Sequence, residues 1–323
     1  MARLLTHDQV KSLVSMGDAI ECMERVFREE GEGRTSLPPR LNMKTGRGWL
    51  RVGPAALEAS GWMGFKAMNL VPGTGVRYQV HLYEIASGAL LAIMDAQHLT
   101  TLRTGATSAV ATRRLARPGP ATVALLGSGV EARAQLEAMQ ADGKVAAARV
   151  FSPTPANRER LAADFRARFG MDIAPAASAA EAVAGADLVL AAVKSAEPVL
   201  LGSWLRAGTH VNSVGTARRD QREIDVDTFG RSARIIVDTK EGVFGEAGDA
   251  VAAREHIRLD DVHELSKLVT GEVPGRSSAT EITLFKSVGT GLQDIAVAAL
   301  IYQRAVERAV GTELGEFPYL KRN

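Results

Sequence analysis

The chain has one cysteine, Cys22, in 323 residues. A lone thiol closes no internal disulfide and anchors no cysteine-based zinc site, so a stapled secreted fold is excluded and a reducing, cytoplasmic setting is expected. Aromatic residues make up only 5%. No apolar run approaches the ~20 residues that span a bilayer. The opening MARLLTHDQVKSLV has neither the apolar core nor the small-residue cleavage site of a secretory signal. No membrane role is expected. An excess of one charge is lacking too: 39 Lys and Arg against 37 Asp and Glu give +2, which argues against a dominant nucleic-acid interface. The six histidines show no close zinc spacing, so no metal is expected. There is no internal repeat and no low-complexity tract.

What is present is an ordinary globular composition, 46% hydrophobic and 24% charged, with a length that suits about two domains at ~150 residues each. Small residues are abundant, with 31 glycines. They let backbones approach one another and ligands closely. That suits a dinucleotide-binding α/β protein, and it equally suits a GC-rich genome.

Residues 6–31 predict two short amphipathic helices, capped by Thr6 and Ser15 and ended by the GEG at 31–33. A proline-punctuated stretch follows. Strand-like runs at 62–68, 78–85 and 90–95, with a turn at 87–89, predict an antiparallel meander. Residues 99–116 have helical spacing. Arg117-Pro118-Gly119-Pro120 then breaks the chain, and a domain junction is placed there. Beyond it strands alternate with helices: strands at 121–126 and 148–152, a helix opened by Pro155, a capping pair Ser178 and Glu181, then apolar runs at 188–193, 210–214 and 235–238. This alternation predicts a mostly parallel sheet covered on both faces. Residues 289–310 predict a long helix.

The strand at 121–126 runs into Gly127-Ser128-Gly129-Val130-Glu131-Ala132, a match to G-x-G-x-x-G/A opening a helix. Gly127 permits the tight turn, Gly129 lets a pyrophosphate reach the backbone, and Ala132 allows close helix–sheet packing. The helix start offers N–H groups and a positive dipole end to phosphates. At the end of the second strand stand Ser152 and Thr154, with Arg158 four residues on and no carboxylate for a ribose 2′-OH. These groups tilt the cofactor from NAD towards NADP, unless Arg158 is simply a solvated helix residue.

Five segments now resemble the ornithine cyclodeaminase/mu-crystallin family: GFKAMN at 64–69, LTTLRTGATSAVAT at 99–112, the Gly-rich turn, NSVGTARRDQREID at 212–225 and ITLFKSVGTGLQD at 282–294. They follow in order over nearly the whole chain. The resemblance implies a Rossmann-type doubly wound NAD(P) domain, 118–290, inserted into a second α+β domain, 1–117 plus 291–323, that binds substrate and forms a homodimer. It implies an oxidoreductase acting on small α-amino or α-imino acids. The family's substrate-carboxylate binders map onto Arg40, Lys66 and Arg103, with Arg47 and Arg51 as rivals to Arg40. An imino acid needs such a cationic anchor, and an Arg fork suits a carboxylate. Lys66 can also give a proton to the substrate. Candidate cofactor contacts are Arg103, Thr104, Gly127, Ser128, Gly129, Val130, Ala132, Ser152, Thr154, Arg158 and Val193.

One position departs from the family. Ala217 stands where cyclodeaminases and the alanine dehydrogenase branch carry an Asp that handles a proton. Asp220 and Glu223 are near in sequence but offset, and Glu223 reads better as the anchor of a following helix. Loss of that carboxylate handicaps ornithine cyclodeamination more than reduction of a preformed imine, where an iminium is already electrophilic. Imine or ketimine reduction is therefore expected. Ornithine cyclodeaminase, an alanine-type dehydrogenase and a non-enzymatic mu-crystallin-like binder are the alternatives. His81 can face the site or be a satisfied structural residue. Asp238 reads as a turn or cap. Gln293-Asp294 begins the long helix, either near the nicotinamide or as a cap.

Overall fold

The computed structural model describes residues 2–315. The chain divides into two compact units. Unit 1 holds the residues up to Arg103 and those from Thr290 onward, and unit 2 is Thr104–Gly289. The second segment of unit 1 begins at Thr290, and residues 316–323 of the expected C-terminal return lie outside the described residues. The division on the N-terminal side falls inside the helix Gln97–Leu115 rather than at the Arg117–Pro120 break. The reason is close packing. A Cβ at Gly105 would lie 2.4 Å from the Ala134 carbonyl oxygen, and Gln135 Nε2 donates to the Thr104 carbonyl at 3.2 Å.

Unit 1 is built on a mixed sheet. Its antiparallel meander runs through Gly48–Leu57, Trp62–Val71, Gly75–Glu84 and Leu90–Asp95. Arg3–Leu5 adds in parallel to Leu90–Asp95 and pairs antiparallel with Thr312–Glu313. Burial alternates throughout Leu90–Asp95 and over the buried stretches of the other three strands. Ala55, Leu57, Val80, Leu82, Ala92 and Met94 are buried, while Val52, Ala56, Phe65, Ala67, Tyr83 and Ile93 on the other face are half-exposed. Two-residue periodicity of this kind is what the pleat imposes. The helices Met16–Gly31 and Gly291–Glu307 pack together, and the second lies against the strands. Ser15 and Asp18 cap the first reciprocally, and Arg304 of the second holds Asp18 through two hydrogen bonds of 2.6 Å.

The proline-punctuated stretch proves to be a hairpin, Leu41–Thr45 with Gly48–Leu57. A proline inside a strand removes a ladder donor. The position of Pro54 resolves the conflict. On one side Leu41–Thr45 covers residues 48–52 and Thr35–Ser36 covers 56–57, so Pro54 falls in a gap between them; on the other side it pairs with Phe65 of Trp62–Val71.

Unit 2 carries an eight-stranded, all-parallel sheet. Its strand order is Ile173–Pro175, Val145–Phe151, Ala121–Leu126, Leu188–Ala191, His210–Ser213, Thr283–Lys286, Arg234–Val237, Val262–Glu264. The central strands are fully buried, which explains their continuous rather than alternating apolar runs. This is the doubly wound arrangement expected from the alternation. Strand order reverses between Ala121–Leu126 and Leu188–Ala191, and ligands bind outside the carboxyl ends of strands at such a point.

Candidate functional site

In unit 1, Lys66 lies on the inward face of Trp62–Val71, on an apolar strand where an ammonium group needs a partner. Its partner is Asp294, on the first turn of Gly291–Glu307. Lys66 Nζ lies 2.8 Å from Oδ1 and 2.7 Å from Oδ2 of that carboxylate, and 3.4 Å from Thr100 Oγ1. Arg103 joins from its helix. Its Nε donates to Asp294 Oδ1 at 3.0 Å, and its Nη1 donates to Gln293 Oε1 at 3.0 Å. All five side chains are buried. Asp294 is thus not a helix cap. It is the counter-ion that holds two cations side by side, and the Lys and Arg charges keep it ionised against burial.

Burial pushes the Lys66 ammonium down from 10.5 to about 8; Asp294 opposes that fall, while the Arg103 and Arg40 charges add to it. Arg40 is half-buried near Gly53, and its charge is felt at both Lys66 and Asp294. Of its rivals, Arg51 donates to Asn42 across the hairpin at 2.6 Å. With Arg40, the cluster carries three cations against one carboxylate. His81 is elsewhere: it stacks on Phe65 with ring centroids 4.6 Å apart, on the half-exposed sheet face.

In unit 2, the Gly-rich turn stands at the carboxyl end of Ala121–Leu126. Gly127 has φ of 113°, and a Cβ there would lie 2.5 Å from the Ala192 carbonyl oxygen. Only glycine fits. Gly129 is the N-cap of Val130–Ala141 with no side-chain cap, and a Cβ there meets nothing within 4 Å. The space over the helix start is open, as a pyrophosphate requires. Ala132 is fully buried beneath the turn, and Val130 is exposed beside it. The residues present therefore fit a dinucleotide. Val193 packs against Gly127, its Cγ1 3.3 Å from the position a Cβ would take. Ser152 is buried, with its hydroxyl donating to the Thr154 carbonyl at 3.3 Å. Thr154 is the exposed N-cap of Pro155–Phe169. Arg158 is half-buried rather than freely solvated. Its Nη1 donates to the Ser152 carbonyl at 2.8 Å and its guanidinium lies over the Phe151 ring. Thr104 is buried on its helix.

A second buried charge cluster was missed in the sequence. Lys286 Nζ donates to Ser213 Oγ at 2.8 Å, Asp249 Oδ2 at 2.9 Å and Glu223 Oε1 at 3.2 Å. Glu223 accepts from the backbone N–H of Val193 at 3.1 Å and of Gly215 at 2.9 Å. It is a structural anchor, as expected, but for two loops at the strand ends rather than for a helix. The signal was available: like Lys66, Lys286 is a lysine inside an apolar strand. Asp238, fully buried, accepts from Ser287 Oγ at 2.7 Å and from the N–H groups of Val288 and Gly289. That is turn service. Ala217 is half-buried, and Asp220 is exposed and paired with Arg218 at 2.5 Å. Among the described residues, no group of three or more His, Cys, Asp and Glu is placed to hold a metal ion, and no helix is long and apolar enough to cross a membrane.

Comparison with known proteins agrees with this architecture. The mouse ketimine reductase mu-crystallin is 34% identical over 303 residues, covering 91% of this chain and 93% of that one. The Δ1-pyrroline-2-carboxylate reductase of Thermococcus litoralis, solved with NADH and L-proline, superposes with a TM-score of 0.92 at 36% identity, covering 97% of this chain and 100% of that one. An archaeal alanine dehydrogenase dimer with bound NAD gives a TM-score of 0.92 at 30% identity, covering 98% and 99%. The ornithine cyclodeaminase/mu-crystallin family matches over residues 2–309. The chain belongs to the ornithine cyclodeaminase/mu-crystallin family.

Proposed function

We propose that this protein is an NAD(P)H-dependent reductase of the C=N bond of a small cyclic or linear α-imino acid. The observation that carries the reading is the buried Lys66–Asp294–Arg103 cluster, a preorganised cationic anchor for one carboxylate. Arg40, Lys66 and Arg103 hold the substrate carboxylate, in unit 1. Gly127, Ser128, Gly129, Val130 and Ala132 hold the pyrophosphate, in unit 2, with Val193, Arg103 and Thr104 as further cofactor contacts. A reduced nicotinamide, when bound, supplies hydride to the imine carbon. Lys66 gives the proton to the imine nitrogen. A lysine held at about 8 suits that task, because an acid works best when its pKa lies near the operating pH. Support also comes from two relatives that reduce C=N bonds by name, the Thermococcus litoralis pyrroline-2-carboxylate reductase and the mouse ketimine reductase.

The finer cofactor assignment is NADP over NAD, resting on Ser152, Thr154 and Arg158 where a carboxylate would select NAD. The relatives were solved with NADH and NAD, and the ratio of the Kd values for NADPH and NADH tests the assignment here. The protein works as a homodimer, a state the archaeal alanine dehydrogenase dimer supports; the half-exposed apolar face of the unit 1 sheet around Val52, Ala56, Phe65 and Tyr83 offers a surface for it. The lone, buried Cys22 suits a cytoplasmic setting.

Ornithine cyclodeamination is disfavoured by Ala217, whose methyl moves no proton, and by Asp220, which is exposed and paired with Arg218. The experiment is an NADH and NADPH oxidation screen against cyclic imines and against keto acids with ammonia or methylamine. Reduction of a cyclic imine is expected. Proline and ammonia from L-ornithine with NAD would favour the cyclodeaminase, turnover only of pyruvate with ammonia the dehydrogenase, and cofactor binding without any turnover the ligand carrier.

A further inference from the structure

We infer that the first turn of Gly291–Glu307 is a further part of the carboxylate site, with Gln293 donating its amide N–H to the substrate carboxylate and Thr290 adding its hydroxyl. The inference rests on the imino-acid reading above and names residues that reading did not use.

The argument begins with an amide whose orientation is settled by chemistry. Guanidinium nitrogens only donate. Arg103 Nη1 lies 3.0 Å from one terminal atom of the Gln293 side chain, so that atom is the carbonyl oxygen and the other end is the NH2 group. Gln293 is fully buried, and its Nε2 has no hydrogen-bond partner in the structure. Buried donors are normally satisfied, so an orphan of this kind points to a ligand atom. Thr290 shows the same signature. It is the N-cap of the helix, yet its side chain makes no cap bond, and its buried Oγ1 has no partner. Thr290 and Gln293 are three residues apart, so both orphan groups belong to the same helix start.

The surroundings decide what kind of atom completes them. Lys66, Arg103 and Arg40 supply positive charge, and the one carboxylate among them, Asp294, is engaged by Lys66 and Arg103. A cationic group is repelled there. An anionic oxygen, already drawn by the cations and by the positive end of the helix, accepts from Gln293 Nε2. The turn is also held firmly. A Cβ at Gly291 would lie 2.9 Å from the Pro54 carbonyl oxygen, and a Cβ at Gly64 would lie 2.9 Å from Ile295 Cδ1. The helix start is thus fixed against the sheet that carries Lys66, and the donor is placed before the ligand arrives. Gln293 therefore helps to select a carboxylate over its neutral amide.

The test uses the full-length protein saturated with reduced cofactor and titrated calorimetrically with pyrrole-2-carboxylate and with pyrrole-2-carboxamide. Gln293→Leu is expected to weaken the carboxylate about tenfold or more, by the ordinary cost of losing a hydrogen bond to a charged group, and to weaken the carboxamide, whose carbonyl accepts only a neutral hydrogen bond, by a clearly smaller factor. In turnover, KM should rise while kcat is largely held. Thr290→Val, nearly isosteric, should weaken the carboxylate in the same direction and provides the readout if Gln293→Leu does not fold. Carboxylate affinity equal to wild type in folded Gln293→Leu overturns the inference alone. Wild-type protein that binds neither compound overturns the imino-acid reading and this assignment with it.

Discussion

Replacing Asp294 with Asn tests the idea that one carboxylate sets the chemistry of Lys66. The substitution keeps the size of the side chain and removes its charge. Lys66 lies 2.7 Å from the nearer carboxylate oxygen, and both groups are buried. Two unit charges about 4 Å apart attract by about 4 kcal/mol at an effective dielectric of about 20. At about 1.4 kcal/mol per pKa unit, losing that attraction lowers Lys66 by up to about 3 units. The Arg103 charge remains and pushes the same way. The wild-type lysine titrates at about 8, so its protonated, proton-giving form dominates at neutral pH and is lost as pH rises through that value. In Asp294→Asn the loss occurs one to three units lower. The alkaline limb of kcat/KM for imine reduction should shift acidward by about that much. Activity at pH 7.5 should fall about threefold for a one-unit shift and more than about a hundredfold for three units, and recover in part near pH 5.5. The assay is reduced-cofactor oxidation from pH 5.5 to 9, with circular dichroism to establish folding. A folded variant whose limb stays where the wild type has it refutes the proton role of Lys66, or its control by Asp294.

Three further outcomes follow from the geometry. Gly127→Ala forces a side chain into positive φ and against the Ala192 carbonyl, so its melting temperature should drop by more than the equivalent of about 2 kcal/mol, whereas Gly129→Ala should fold normally and bind NADH or NADPH at least about tenfold more weakly in a fluorescence titration. Lys286→Met leaves Glu223 and Asp249 buried without their cation; a loss of roughly 3–5 kcal/mol in urea unfolding is expected, and a stability within about 1 kcal/mol of wild type would contradict the cluster. Arg158→Ala should raise the Kd for NADPH more than that for NADH, and equal changes would remove Arg158 from cofactor selection.

The parts of the structure legible in the sequence were those written locally. The Gly-rich turn, the alternation of strands and helices, and the capping residues Ser15 and Ser178 each state a short-range physical rule, and each appears where that rule puts it. The hairpin at 41–57 was hidden because Pro54 suits a strand only when its neighbours leave a gap, which is a property of the whole sheet edge. Asp294 was hidden for the same kind of reason. Its role depends on a residue 228 positions earlier, Lys66, and at a helix start any Asp resembles a cap. Glu223 and Lys286 are 63 positions apart, and only the parallel pairing of His210–Ser213 with Thr283–Lys286 brings their surroundings together.

The central claim is that the protein reduces a preformed imine. Its most direct measurement mixes the protein with NADH or NADPH and Δ1-pyrroline-2-carboxylate, following cofactor oxidation and proline formation together. The account predicts one proline for each reduced cofactor consumed, with loss of turnover in Lys66→Ala and Arg103→Ala. No oxidation of either cofactor, with proline and ammonia appearing instead from L-ornithine and NAD, would contradict it.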